Sequence, residues 1–200
     1  MHPLSLDEPL VLDDPHTERM TDADFFRFCQ QHPKLRIERN AQHQIILMAP
    51  TFSITGRRNA RLTTQLGIWC EAHPELGEFF DSSAGFTLPS GAVRSPDVAW
   101  VPAADWNALT AEQQEKFAAV CPAFLVELKS QSDPLKMLLA KMEEYRENGT
   151  KLGWLLAPDG ERAYIFRASE TGYETVQGFD RELSGDKVLP GFNLDLRKLR

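Results

Sequence analysis

Short blocks of alternating or continuous apolar residues run along this chain of 200 residues, separated by longer stretches with helical spacing. The strongest block is Phe124-Leu125-Val126-Glu127-Leu128-Lys129. Strand side chains alternate between faces, so Phe124, Val126 and Leu128 share one face while Glu127 and Lys129 point the other way. Upstream, Asp97 opens a second apolar run, Val98-Ala99-Trp100-Val101. A hairpin is expected from 37–39 and 44–48 around Asn40-Ala41-Gln42-His43, with Glu38 in its first strand. Shorter strands are expected near 78–81 and 85–88. An apolar strand at 152–157 turns at Pro158-Asp159-Gly160 and returns at 162–167, and 173–176 adds one more.

Helical spacing fills the gaps. Thr21-Asp22-Ala23-Asp24 caps a helix that runs to Gln31 and stops before Pro33. Leu62, Leu66, Trp69 and Cys70 mark the buried stripe of a helix over about 56–73. Arg57, Arg58 and Arg61 crowd its first turns, where cations are disfavoured, and a solvated helix face is the expected account of them. One or two short helices are expected over 103–117, with Thr110 as cap. Leu135, Leu138, Leu139, Met142 and Tyr145 form the stripe of another long helix, with Asp133 expected as N-cap, Pro134 at the first helical position and Gly149 at the C-terminal end. The tail around Phe192, Leu194 and Leu196 is amphipathic and packs on the body. The order of helices and strands points to an α/β (α+β) chain with a mixed central sheet flanked by helices. Residues 1–19, rich in Pro, Asp and Glu, read as a loosely ordered arm, and 20–200 as a single domain.

Composition narrows the partners. The net charge of −7 argues against charge-driven coating of nucleic acid. Cys29, Cys70 and Cys121 form no CxxC pair, which fits a reducing, cytoplasmic setting. No apolar run reaches membrane length, and there is no signal-peptide pattern. The five histidines show no zinc-ligand spacing.

The chemistry converges on a few acids. Asp97 beside a strand carrying Glu127 gives two close carboxylates, and burying them is costly unless something compensates. A divalent cation does so, since Mg²⁺ is held by one or two carboxylates together with waters and substrate phosphates. Lys129 offers a compact ammonium for charge that develops in a transition state. A salt-bridged pair at a strand end is the alternative for Glu127 and Lys129, and a turn cap for Asp97. Lys141 either leans toward the acids or faces solvent, Tyr145 belongs to the core, and Gln131 to a loop.

Ser95-Pro96-Asp97 followed by Glu127-Leu128-Lys129 resembles the signature of the PD-(D/E)XK nuclease superfamily. The ordered set Ile37-Glu38, Pro50-Thr51, Arg94-Ser95-Pro96-Asp97, Val126-Glu127-Leu128-Lys129-Ser130, Lys141-Met142-Glu143-Glu144-Tyr145 and Gly153-Trp154-Leu155 resembles the restriction endonuclease family of the Uma-two type over roughly residues 20–196. That resemblance implies a restriction-endonuclease-like core and an endonuclease that hydrolyses DNA phosphodiester bonds with Mg²⁺, for which Mn²⁺ can substitute. It implies Asp97 and Glu127 as metal ligands, the Leu128 carbonyl as a third, and Lys129 and Glu38 as further catalytic residues. Many relatives carry a histidine soon after the Pro-Thr turn, where this chain has Phe52-Ser53-Ile54-Thr55-Gly56-Arg57. Cutting a duplex needs two scissions, which favours a homodimer. The reading from a different class is a non-catalytic member of the same fold that binds protein or nucleic acid.

Overall fold

The computed structural model describes residues 9–12, 17, 20–48 and 52–200. Most of the expected arm and the Pro50-Thr51 turn lie outside them. Within the arm's stretch, Leu10–Leu12 forms strand β1, which pairs antiparallel with Ile45–Met48.

A six-stranded sheet forms the centre. Its strands are β4 (Gly77–Asp81), β7 (Val98–Pro102), β8 (Phe124–Leu128), β9 (Leu152–Ala157), β10 (Arg162–Arg167) and β11 (Glu174–Gln177). Their spatial order is β11-β10-β9-β8-β7-β4. β8 and β9 pair in parallel and the other neighbours antiparallel, so the sheet is mixed. A parallel pair needs a crossover, and here helix α5 (Leu135–Glu147) provides it. Every residue of β8 and of β9 is buried, as continuous apolar runs require when both faces of a sheet are covered.

The two faces bury different halves of the alternating pattern. Val126, Leu128, Trp154 and Leu156 pack under Leu62, Leu66, Trp69 and Cys70 of helix α2 (Ser53–Ala72), together with Phe192, Leu194, Leu196 and Leu199 of the tail. Leu125 and Leu155 pack under Met142 and Tyr145 of α5. The tail contributes the hairpin β12 (Glu182–Ser184) and β13 (Asn193–Asp195), then a 3-10 turn over Leu196–Leu199.

A second, five-stranded antiparallel sheet stands beside the first, in the order β1-β3-β2-β6-β5. It comprises β1, β2 (Arg36–Arg39), β3 (Ile45–Met48), β5 (Phe86–Thr87) and β6 (Val93–Arg94). Helix α1 (Asp22–Gln31) covers one of its faces through Phe25, Ile45 and Val93, with Leu12, Ile37 and Leu47 alongside. The expected cap holds: the Thr21 hydroxyl accepts from the Asp24 N–H, and the Asp24 carboxylate accepts from the Thr21 N–H. Two short helices, α3 (Ala103–Asn107) and α4 (Ala111–Gln114), fill the link between β7 and β8, with Thr110 capping α4.

Two local expectations are corrected. Pro134, not Asp133, occupies the N-cap of α5. The Asp133 carboxylate instead accepts the backbone N–H of Ser130 at 2.8 Å, which tightens the loop before the helix. The α2 arginines are not a merely solvated face. Arg57, Arg58 and Arg61 donate to the backbone carbonyls of Arg200, Leu199 and Lys198 at 2.5, 2.6 and 2.7 Å. The end of a helical turn leaves carbonyls unpaired and attracts cations, so these side chains fasten the tail onto α2.

Candidate active site

Between the small sheet and α5 lies a cleft of about 370 Å³. Cross-strand pairing explains what faces it. Arg36 lies opposite Met48, and Glu38 opposite Ile46, on β2 and β3. Val11 lies opposite Ile46 on β1. These residues share the face turned away from α1, and all of them line the cleft. The facing wall is α5, with Met137, Leu138, Lys141 and Glu144 at helical spacing.

Charged groups gather at the floor. The Glu38 carboxylate is 2 % exposed. Its Oε2 lies 3.0 Å from Arg94 Nη1, and its Oε1 accepts from the Ser95 N–H at 3.0 Å and from Lys141 Nζ at 2.9 Å. Arg94 Nε reaches on to Glu144 Oε2 at 2.6 Å. Lys141 Nζ also meets Glu127 Oε1 at 2.8 Å, and the Tyr145 hydroxyl donates to the same oxygen at 3.0 Å. The antiparallel register Val98↔Val126 brings Asp97 alongside Glu127 at the next position of the ladder. Both oxygens of Asp97 are held: Oδ2 accepts from the Leu128 N–H at 2.8 Å, and Oδ1 accepts from Asn59 Nδ2, on α2, at 2.9 Å.

Burial acts on all of these acids, and their neighbours decide the outcome. Desolvation disfavours the charged form of Glu38, but the Lys141 and Arg94 cations outweigh it and hold its carboxyl below the usual range. Desolvation raises Glu127, with Lys141 opposing and the nearby Asp97 and Glu38 charges adding to the rise. Desolvation likewise raises Asp97, against the pull of the Leu128 N–H. Five acidic side chains line the cleft (Glu38, Asp97, Glu127, Asp133 and Glu144) against three basic ones (Arg36, Arg94 and Lys141), an excess of two acids.

That excess is the test of whether a divalent cation suits the site. Among the described residues, no three His, Cys, Asp or Glu side chains converge as a ready cage. The requirement of Mg²⁺ is smaller, one or two carboxylates with water and phosphate completing the shell. Asp97 and Glu127 lie adjacent on the ladder and offer such a pair, with Glu127 Oε1 already bonded to Lys141 and Tyr145.

A family model described as "Uma2: Putative restriction endonuclease" matches residues 22–197. The chain belongs to the Uma2 family. Its fold is shared by a solved structure described as a "putative nuclease belonging to DUF820" from Anabaena variabilis, at 15 % identity and a TM-score of 0.73, covering 90 % of this chain and 97 % of the other. The fold is thus that of a restriction-endonuclease-like protein, with mixed sheets flanked by helices. No curated protein matches the chain.

In this Uma2 chain, Glu38, Asp97, Glu127 and Leu128 come together at one floor. Leu128 takes part there through its N–H, bonded to Asp97. Lys129 stands apart: its ammonium donates to the Ser130 carbonyl at 2.8 Å and lies 3.9 Å from Asp159 Oδ2. The ammonium in contact with the acids is that of Lys141. Gln131 is exposed in the loop after β8. Sequence reading missed Asn59 as a support of Asp97, and Arg94 and Glu144 as members of the charged floor. Arg94 and Glu144 sit within the quoted motifs, next to Ser95-Pro96-Asp97 and Tyr145. Asn59 had no local signal, because its role depends on how α2 is rotated against β7.

Proposed function

We propose that this chain is a metal-dependent endonuclease that hydrolyses DNA phosphodiester bonds. The observation that carries the reading is the pair Asp97 and Glu127, side by side at the floor of a cleft with two more acidic than basic side chains. Membership of the Uma2 family and the nuclease-like fold support it. In hydrolysis a water oxygen bonds to phosphorus, the bond from phosphorus to the leaving sugar oxygen breaks, and that oxygen takes up a proton. Asp97 and Glu127 would hold Mg²⁺ or Mn²⁺, which neutralises phosphate charge and acidifies bound water. Asn59 and the Leu128 N–H fix the direction of the Asp97 oxygens. Lys141 and Tyr145 fix Glu127. Glu38 sets Lys141 in place through a buried pair and thereby acts from behind the acids. Charge that grows on the phosphate needs an ammonium, and the candidates are Lys129 at the strand end and Lys141 on the helix.

The test is cleavage of plasmid, linear duplex and single-stranded DNA in Mg²⁺ and in Mn²⁺, beside Asp97→Ala, Lys129→Ala and Lys141→Met. Cleavage lost in Asp97→Ala places the reaction here, and the lysine variant with the larger loss of kcat carries the charge. Activity that survives Asp97→Ala would refute the site. We further propose a homodimer, which sedimentation as a monomer at micromolar concentration would refute. A cytoplasmic setting is consistent with the three free cysteines. Among the described residues no helix is long and apolar enough to cross a membrane.

One observation favours the second reading, a non-catalytic binding module: Lys129 bonds within its own loop and not to the acids. Binding of DNA without cleavage under any metal, and with no thermal shift by Mg²⁺ or Mn²⁺, would support that reading.

A further inference from the structure

The upper cleft is apolar on both sides. Val11, Ile46 and Met48 face it from the small sheet, and Met137 and Leu138 from α5. The alternation of β2 and β3 turns Ile37, Ile45 and Leu47 toward α1, where a core already exists. Ile46 and Met48 therefore point away from that core and toward the cleft. Val11 and Met137 remain 40 % and 42 % exposed. Two apolar walls above a floor rich in acids make a slot for a flat, weakly polar group whose phosphate would be met by the divalent cation of the nuclease reading. A nucleobase attached to the phosphate at the floor has that shape.

The charges at the cleft point the same way. Arg94 and Lys141 are both bonded to acids. Of the cations lining the cleft this leaves Arg36, whose side chain makes, among the described residues, one long hydrogen bond of 3.5 Å to the Ser82 carbonyl. Duplex binding draws its affinity from many phosphate contacts, and this cleft offers few. A base taken out of the stack is held instead by packing between aromatic or apolar side chains.

Resting on the nuclease reading, we infer that the cleft takes one nucleotide out of the base stack, with its base between the Val11–Ile46–Met48 wall and the Met137–Leu138 wall, so that the substrate class is single-stranded or locally unpaired DNA. A paired base cannot enter without being unstacked, at a cost that is smallest where the pairing is already broken.

The experiment compares the full chain on one sequence presented as a single strand, as a bubble and as a complete duplex, in Mn²⁺. In parallel, the Asp97→Asn variant is titrated with duplex that carries 2-aminopurine, a base that brightens when it leaves the stack. Single-stranded and bubble DNA are expected to be cut about ten-fold or more faster in kcat/KM than duplex. Emission is expected to rise on binding, and the rise to disappear in the double variants Asp97→Asn/Met137→Ser and Asp97→Asn/Ile46→Ser. Met137 is half-exposed, so its replacement leaves the core intact, and circular dichroism checks both variants. Equal cutting of paired and unpaired DNA, with flat emission while binding persists, overturns the slot and leaves the nuclease standing. A rise in emission with no cutting of any substrate supports the slot and overturns the nuclease reading. Absence of binding to any DNA overturns both.

Discussion

Lys141 is the residue on which the charged floor depends. It contacts Glu38 and Glu127 at once, at 2.9 and 2.8 Å, and is itself largely buried. Removing one partner of a buried ion pair leaves the other charge uncompensated and costs about 3–5 kcal/mol. Lys141→Met is therefore expected to lower the unfolding free energy by that order in urea titration. Glu127→Gln is expected to do the opposite or nothing. It removes an acid from a cleft that has two more acidic than basic side chains, and the amide oxygen can still accept from Lys141 and Tyr145. A large loss of stability in Glu127→Gln would contradict this accounting. Asp97 and Glu127 could be placed from sequence because strand alternation fixes where a side chain points. Lys141 and Asn59 could not be placed that way. Their positions depend on how two helices pack on opposite faces of the sheet, and a helical stripe tells only which side is apolar. Lys129 shows the limit of alternation itself: it lies one residue past β8, where the chain leaves the pleat and its ammonium turns back to the Ser130 carbonyl.

At the scale of elements, β4 closes one edge of the large sheet through an approach that only glycine allows. A Cβ at Gly77 would lie 2.3 Å from the Val101 carbonyl oxygen and 2.9 Å from the Trp100 ring. Backbone cannot yield as a flexible side chain can, so Gly77→Ala is expected to destabilise by roughly 1–3 kcal/mol. Gly160→Ala is the control. Nothing lies within 3.8 Å of its added Cβ, and a change of roughly 0.5 kcal/mol or less is expected. Thermal melting of both variants checks the contrast. Most elements were readable from local signals, such as the Thr21–Asp24 capping box, the run Leu152–Ala157 and the stripe from Leu62 to Cys70. Strand β1 was not readable, because the sequence before Met20 has no periodicity and its pairing is supplied by β3. The Asp133 cap failed for a related reason. A carboxylate two residues before a helix has more than one N–H within reach, and the loop N–H of Ser130 takes it.

At the scale of the whole molecule, each of the three apolar clusters carries one thiol: Cys70 on α2, Cys121 beside the α5 face and Cys29 on α1. Burial pushes the Cys29 thiol up to about 11 and that of Cys70 up to about 12, and it raises Cys121 as well. The neutral form is thus favoured in the fold. From pH 9 upward the unfolded chain releases thiol protons that the native chain keeps, so stability falls as pH rises through the folded values. Alkylation at pH 8 is expected to be slow at all three sites in the native protein and fast in denaturant. Rapid labelling of Cys70 in the native protein would contradict the packing described. Since each thiol reports its own cluster, unequal rates would also rank the clusters by local opening. Metal is expected to act on the whole fold. Mg²⁺ or Mn²⁺ at a hundred times its dissociation constant should add about 2.7 kcal/mol, and Asp97→Ala should abolish the gain in a melting experiment.

Glu38 and Lys141 are 103 positions apart in the chain, with Asp97 and Glu127 between them. During synthesis, a growing chain that has exposed all three acids still lacks the helix that forms the far wall of the cleft and supplies its ammonium. On the proposed nuclease reading, an unfinished polypeptide on the ribosome would be chemically silent, and the site would be complete only when the crossover helix docks. On the same reading, truncated products of interrupted translation that end before residue 141 should show no cleavage of DNA.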